Sequence, residues 1–227
     1  MDNALLCTGL SQQQQINGFH LISCQLPNDI NPLMLLHQSL KFHGAEDIPI
    51  TLFQTAQTPN SSTLFLSPKP LPSTLLEAKN VYLQYNPNYL KTFDFNEQAP
   101  LVVVADEPFM ANAFAIAKLR QQTKSASTVI LIESPTFPFQ LKPARFWAPE
   151  MPDEAIGASE LLEDWGIVNR MASSNLIGGC FQGKLIELFS HWVENQANLR
   201  EWQLCQFTNE QNATTFQSVF NDALTSK

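Results

Sequence analysis

Leu101-Val102-Val103-Val104-Ala105 is an unbroken apolar run, and Thr128-Val129-Ile130-Leu131-Ile132 is a second. Runs of this length without polar alternation suit strands buried on both faces, the condition of a parallel sheet. Between them, residues 109–119 place Met110, Ala113, Phe114 and Ala117 at helical spacing. Pro108 is compatible with the first helical position, where a missing N–H costs nothing. Strand, helix, strand at these lengths predicts right-handed crossovers and an α/β layer. Downstream, the pattern predicts helices over 159–165, 182–194 and 214–224, and a late strand over 202–205.

Upstream the chain reads differently. Its apolar runs, 19–26, 50–55, 63–66 and 81–85, are strand-length and separated by Pro, Asn and Ser. Turn formers at that spacing predict antiparallel strands, with a short helix over 72–78 for which Ser73 is the candidate cap. The fold class expected is a small antiparallel β barrel, residues 1–97, followed by a parallel α/β domain, residues 98–227. The Gln12–Gln15 run reads as a flexible surface lead-in.

Composition narrows the function classes. The 227 residues hold 44% hydrophobic and only 15% charged side chains, with a formal net charge of -8. A chain this acidic repels phosphate backbones, which argues against nucleic acid as a partner. No run approaches the ~20 apolar residues of a membrane span. Met1–Leu10 carries Asp2 and no basic residue, unlike an export signal, so a cytoplasmic location is expected. Cys7, Cys24, Cys180 and Cys205 lack metal-ligand spacing and read as small buried hydrophobes. His37 and His43 read as surface residues, and no metal site is expected. Asp153, Glu154, Glu160, Glu163 and Asp164 form an acidic stretch, either a solvated face or a docking surface for a basic partner. No Ser-His-Asp order, phosphate-binding Walker loop or H-E-x-x-H occurs, and no residue is assigned a catalytic role.

Three stretches carry a resemblance: Pro135-Thr136-Phe137-Pro138-Phe139; Pro143-Ala144-Arg145-Phe146-Trp147-Ala148-Pro149-Glu150-Met151-Pro152; and Leu161-Leu162-Glu163-Asp164-Trp165-Gly166-Ile167-Val168-Asn169-Arg170-Met171-Ala172-Ser173, continuing into Gly179-Cys180-Phe181-Gln182-Gly183. This pattern resembles the electron-transfer subunit of dihydroorotate dehydrogenase, within the ferredoxin reductase superfamily. It is specific from about residue 135 to 195. The resemblance implies a barrel that binds FAD, an α/β domain that binds NAD(P)H, a C-terminal iron–sulfur centre and a partner subunit.

Each implied site departs from that pattern here. A glycine-rich turn is implied after the first α/β strand, because backbone must approach the pyrophosphate closely. The turn instead reads Ala105-Asp106-Glu107-Pro108-Phe109, and there is no glycine between Gly44 and Gly157. Two carboxylates there oppose a diphosphate, at about 4 kcal/mol per contact at ~4 Å and an effective dielectric near 20. Asp106 and Glu107 are read either as ligands for a cation or sugar, or as caps of the following helix dipole. The implied C-G-P-x-P-M turn aligns Cys205 with the Cys, at the end of the late strand, but Gln206, Phe207 and Thr208 do not follow the motif. At the flavin site, the candidate strand 50–55, with Thr51 and Phe53, has no arginine, and the phosphate turn keeps only Pro87, next to Tyr89. No cysteine cluster follows the 214–224 helix. The expectation is a scaffold that has lost FAD, NAD(P)H and iron–sulfur binding and acts as a binding or regulatory protein. The alternative is an active flavin-dependent NAD(P)H electron-transfer enzyme.

Overall fold

The computed structural model describes residues 4–55, 58, 61–87 and 95–226. The chain divides into two compact units, Met1–Asp94 and Phe95–Lys227. The first is built from β1 (Ala4–Gln14), β2 (His20–Gln25), β3 (Leu40–Phe42), β4 (Ala45–Gln54), β5 (Thr63–Ser67), α1 (Ser73–Leu76) and β6 (Asn80–Gln84). The strands close into an antiparallel barrel in the order β1-β2-β5-β4-β3-β6. Closure leaves no sheet edge exposed. Alternate residues fill the interior, among them Leu5, Cys7, Ile22, Leu40, Phe42, Ile50, Leu52 and Phe65.

Two details of this unit depart from expectation. The glutamine run is not a lead-in but the end of β1, paired with β2 through Gln12↔Ile22 and Gln14↔His20. Gln12 also fastens the segment before α1: Leu71 N donates to its Oε1 at 2.8 Å. The strand absorbs a register shift between Thr8 and Ser11, where Gly9 takes a φ of 64°; a bulge of this kind needs a residue without a Cβ penalty in the left-handed region. In α1, Ser73 is the first helical residue and Pro72 holds the cap position.

The second unit comprises β7 (Leu101–Asp106), α2 (Met110–Gln122), β8 (Thr128–Glu133), β9 (Leu141–Pro143), β10 (Gly157–Ser159), α3 (Glu160–Asp164), β11 (Val168–Ser173), β12 (Phe181–Gln182), α4 (Leu185–Asn195), β13 (Gln203–Phe207) and α5 (Glu210–Ser226). Five strands form a parallel sheet in the order β12-β11-β8-β7-β13, and β9 and β10 pair as a separate hairpin. Every residue of β7 is buried. Val102, Val104 and Leu131 pack into one cluster with Leu188, Phe189 and Trp192 of α4 and with Phe216 and Phe220 of α5. Residues Met110–Ala117 of α2 are buried throughout. Pro108 lies ahead of this helix rather than inside it, because α2 begins at Met110 with Phe109 as its cap residue.

Polar groups fix the loops around this sheet. Arg120, on the last turn of α2, is 2% exposed. Its Nε donates to Thr128 Oγ1 at 3.0 Å, and its Nη2 donates to the carbonyls of Ala99 at 2.8 Å and Ala126 at 2.9 Å. One guanidinium thus ties together the chain entering β7 and the chain entering β8. The acidic stretch is not uniformly solvated either. Glu163 is 4% exposed; it accepts the N–H groups of Arg145 at 2.7 Å and Phe146 at 3.3 Å, and the Arg145 Nε at 3.0 Å. Gly157 and Gly179 meet backbone to backbone, with Gly157 N donating to Gly179 O at 2.7 Å.

Replacing Arg120 with Ala strands several buried carbonyls together, each a penalty of ~1–3 kcal/mol in isolation. R120A should lose about 2–4 kcal/mol of unfolding free energy, since the carbonyls left behind are neutral and unpaired. Urea melts of the two proteins measure it, and R120K should rescue little, since an ammonium cannot reproduce the fork.

Candidate functional site

In an open parallel sheet, ligands lie beyond the carboxyl ends of the strands, where the strand order changes direction. Here the chain leaves β7 through α2 to β8 on one side and returns as β13 on the other. The switch point is therefore the edge at which β7 and β13 end. The side chains gathered there are Asp106, the last residue of β7, Glu107 beyond it, and Asn212 on the first turn of α5.

Register brings a third carboxylate to the same edge, since Asp106 pairs directly with Glu133 at the end of β8. The two acids are treated differently by the helices above them. Glu133 Oε2 accepts the backbone N–H of Leu185 at 2.6 Å, so the first residue of α4 supplies it with a helix-terminal donor. Asp106 receives a neutral amide instead: Asn212 Nδ2 donates to its Oδ2 at 2.8 Å. Its Oδ1 is buried without a partner, and the residue is 9% exposed. Burial first, and then the charge of Glu133, push the Asp106 carboxyl up from 3.8 to about 6, against the opposing pull of Asn212. Neither Asp106 nor Glu107 caps α2. The cap position is Phe109, without a side-chain cap hydrogen bond, and no acid lies in the first turn. Glu107 is exposed and is reached by Ser134 Oγ at 3.5 Å.

The remaining predicted positions fall into two groups. Cys205 sits in the middle of β13, not at its end, paired with Val103 of β7. Burial pushes its thiol up to about 12, which leaves it protonated and unreactive at neutral pH. The strand ends two residues later, and the turn aligned with the C-G-P-x-P-M motif caps α5, with Asn209 Oδ1 accepting the N–H of Asn212 at 2.9 Å. In the barrel, Thr51 and Phe53 lie on β4 and are buried, and Thr51 pairs with Leu66 of β5. Pro87 is half-buried just after β6, and Tyr89 lies outside the described residues. His43 is exposed and faces Glu46 at 3.2 Å. Among the described residues no group of three or more His, Cys, Asp or Glu is placed to hold a metal, and no helix is long and apolar enough to cross a membrane. Glu133 and Asn212 are the members of the edge that sequence reading missed. The signal for Glu133 was present, as an acid closing the second apolar run just as Asp106 closes the first.

No family model and no curated protein matches this chain. Among solved structures it is similar to the ferredoxin reductase of carbazole 1,9a-dioxygenase, at 10% identity and a TM-score of 0.64, over 96% of this chain and 65% of that one. The chain thus spans about two thirds of the length of that reductase. It is also similar to the FAD/NAD-binding domain of nitric oxide dioxygenase from Vibrio cholerae, at 11% identity and a TM-score of 0.55, over 99% of this chain and 94% of that one. Ferredoxin-NADP+ reductase from Plasmodium falciparum matches with a TM-score of 0.55 at 7% identity, over 97% of this chain and 94% of that one. These likenesses define the fold class as ferredoxin reductase-like, a closed six-stranded barrel with a parallel α/β sheet. The barrel-then-sheet order expected from the sequence is the one found.

Asp106 provides a pH test of the edge. Its folded value lies above the unfolded one, so the native state binds the proton more tightly and loses stability as pH rises from about 4 to about 6. Discounted for solvent screening, a difference of roughly two units corresponds to about 1–2 kcal/mol, fully expressed about a unit above pH 6. D106N, which keeps an acceptor for Asn212, should therefore be more stable than the native protein at pH 7.5 by up to about that amount. The gain should vanish at pH 4, read by urea denaturation at both values.

Proposed function

We propose that this protein is a ferredoxin reductase-like scaffold that does not carry FAD, NAD(P)H or an iron–sulfur cluster as redox cofactors, and that it works as a cytoplasmic binding or regulatory protein with a protein partner. The observation that carries the reading is Asp106. A buried carboxylate with an unpartnered oxygen, beside Glu133 and followed by Glu107, stands where a diphosphate would need backbone N–H groups and positive potential. Asn212 reaches into the same edge from α5 and bonds that carboxylate. These residues do not fit a dinucleotide diphosphate, and no step through one is derived.

The barrel supports the same reading less directly. A flavin diphosphate is ordinarily neutralised by a planar guanidinium, and no arginine precedes Arg120 in this sequence. The four cysteines are Cys7, Cys24, Cys180 and Cys205, each free and buried; Cys7 and Cys24 touch inside the barrel, and among the described residues no three of them gather. The likeness of residues 135–195 to the electron-transfer subunit of dihydroorotate dehydrogenase supports descent from such a subunit. A binding role is supported by large apolar side chains left in solvent, Trp147 and Leu176 above all, at 86% and 94% exposed.

Purified protein should be colourless, and its melting temperature should not respond to FAD, FMN, NAD or NADP. A binder present at 100 times its dissociation constant would add ~2.7 kcal/mol of stability, which a thermal melt resolves. A yellow preparation with near-stoichiometric flavin, or a strong shift with any of these nucleotides, would overturn the proposal in favour of an active NAD(P)H–flavin oxidoreductase.

A further inference from the structure

A cavity of about 390 Å³ opens beneath the 143–156 loop that joins β9 to β10. Its volume falls in the range of small-molecule sites. Phe146, Trp147, Pro149, Met151 and Ile156 supply an apolar lining, and Arg170 of β11 lines it as well. Met151 also belongs to the sheet's hydrophobic cluster, so the cavity wall is continuous with the core.

Arg170 is the unusual member. It is 5% exposed, yet it carries a charge that stays on guanidinium at any physiological pH. Its Nη1 donates to the carbonyl of Asn169 at 2.7 Å and its Nη2 to the carbonyl of Phe146 at 2.8 Å, while its Nε is buried with no partner. Among the described residues no carboxylate lies within ion-pair distance of it. Glu163 acts on it only through space, being occupied by Arg145 and two backbone N–H groups. Arg145, which also lines the cavity, is spent on Glu163 and Asp164, at 3.0 and 2.7 Å. The other charged lining residue, Asp153, is exposed. A buried cation held by carbonyls alone favours an anion that can reach it. Trp147 lines the cavity as well and keeps 86% of its surface in solvent.

We propose that this cavity is a binding site for a small aromatic carboxylate, with the acid directed to Arg170 and the ring lying against Trp147 and Phe146. The site is independent of the turn after β7, so it stands or falls separately from the absence of redox cofactors. Phenylacetate and its neutral isostere phenylacetamide are suitable probes, titrated into native protein while the four tryptophan indole N–H signals are followed by NMR, with that of Trp147 assigned through W147F. The acid should shift the Trp147 signal saturably and leave that of the fully buried Trp192 in place, and the amide should bind at least tenfold more weakly. R170Q should erase the preference for the acid, and W147A, a change at an exposed position, should weaken the acid several-fold without lowering the melting temperature. Should R170Q fail to fold, the acid–amide comparison on native protein decides alone. Equal binding of acid and amide, or no saturable shift at Trp147 up to millimolar acid, would overturn the proposal.

Discussion

A strand covered on both faces can present polar chemistry only where it stops. β7 and β8 are buried along their lengths by α2 on one side and α4 and α5 on the other, and their first acidic groups come at their last residues. Parallel register then leaves no freedom: Asp106 and Glu133 must end side by side. Two like charges at such a distance cannot both be comfortable in a partly desolvated edge. The helices settle the conflict unequally, with a backbone donor from α4 for Glu133 and a side-chain amide from α5 for Asp106. Burial first, and then this inequality, set the proton affinity of Asp106.

The strands and helices that the sequence made legible are those whose pattern is uniform. β7, β8, α2 and α4 are apolar enough that burial dictates them, and turn formers separate most barrel strands. β1 and β11 were hidden for opposite reasons. The glutamines of β1 are polar throughout, and only pairing with β2 makes them a strand. β11 interrupts its apolar residues with Asn169 and Arg170, whose burial is supported by hydrogen bonds: Asn169 bonds Ile167 O and Ser159 N, and Arg170 bonds Asn169 O and Phe146 O, though its Nε stays without a partner. At the candidate site, Asp106 and Glu107 could be read because they replace an expected glycine turn. Asn212 could not, since it is 106 residues away and arrives only through the packing of α5.

Residues 135–173 turn out to be largely architectural. Glu163 anchors the 143–156 loop through two backbone N–H groups and Arg145. Trp165 packs edge-on against Phe114 at 6.5 Å, with Lys118 Nζ 4.9 Å from its ring centre. Phe139 meets that same Phe114 edge-on at 5.6 Å, and Phe137 lies tilted against Phe139. These contacts preserve the shape of a loop cluster, so these residues bear on the fold, and the strand edge bears on function.

The backbone contact between Gly157 and Gly179 sets a limit of another kind. A Cβ added at Gly157 would lie 3.0 Å from the carbonyl oxygen of Gly179, and one added at Gly179 would lie 3.1 Å from the Cα of Gly157. Neither position can drift to alanine without prising two loops apart, whereas Leu176 between them in the chain touches mostly water. Evolution can therefore rewrite the tip of that loop freely while its root stays frozen, leaving a surface free to take on new partners without disturbing the sheet beneath.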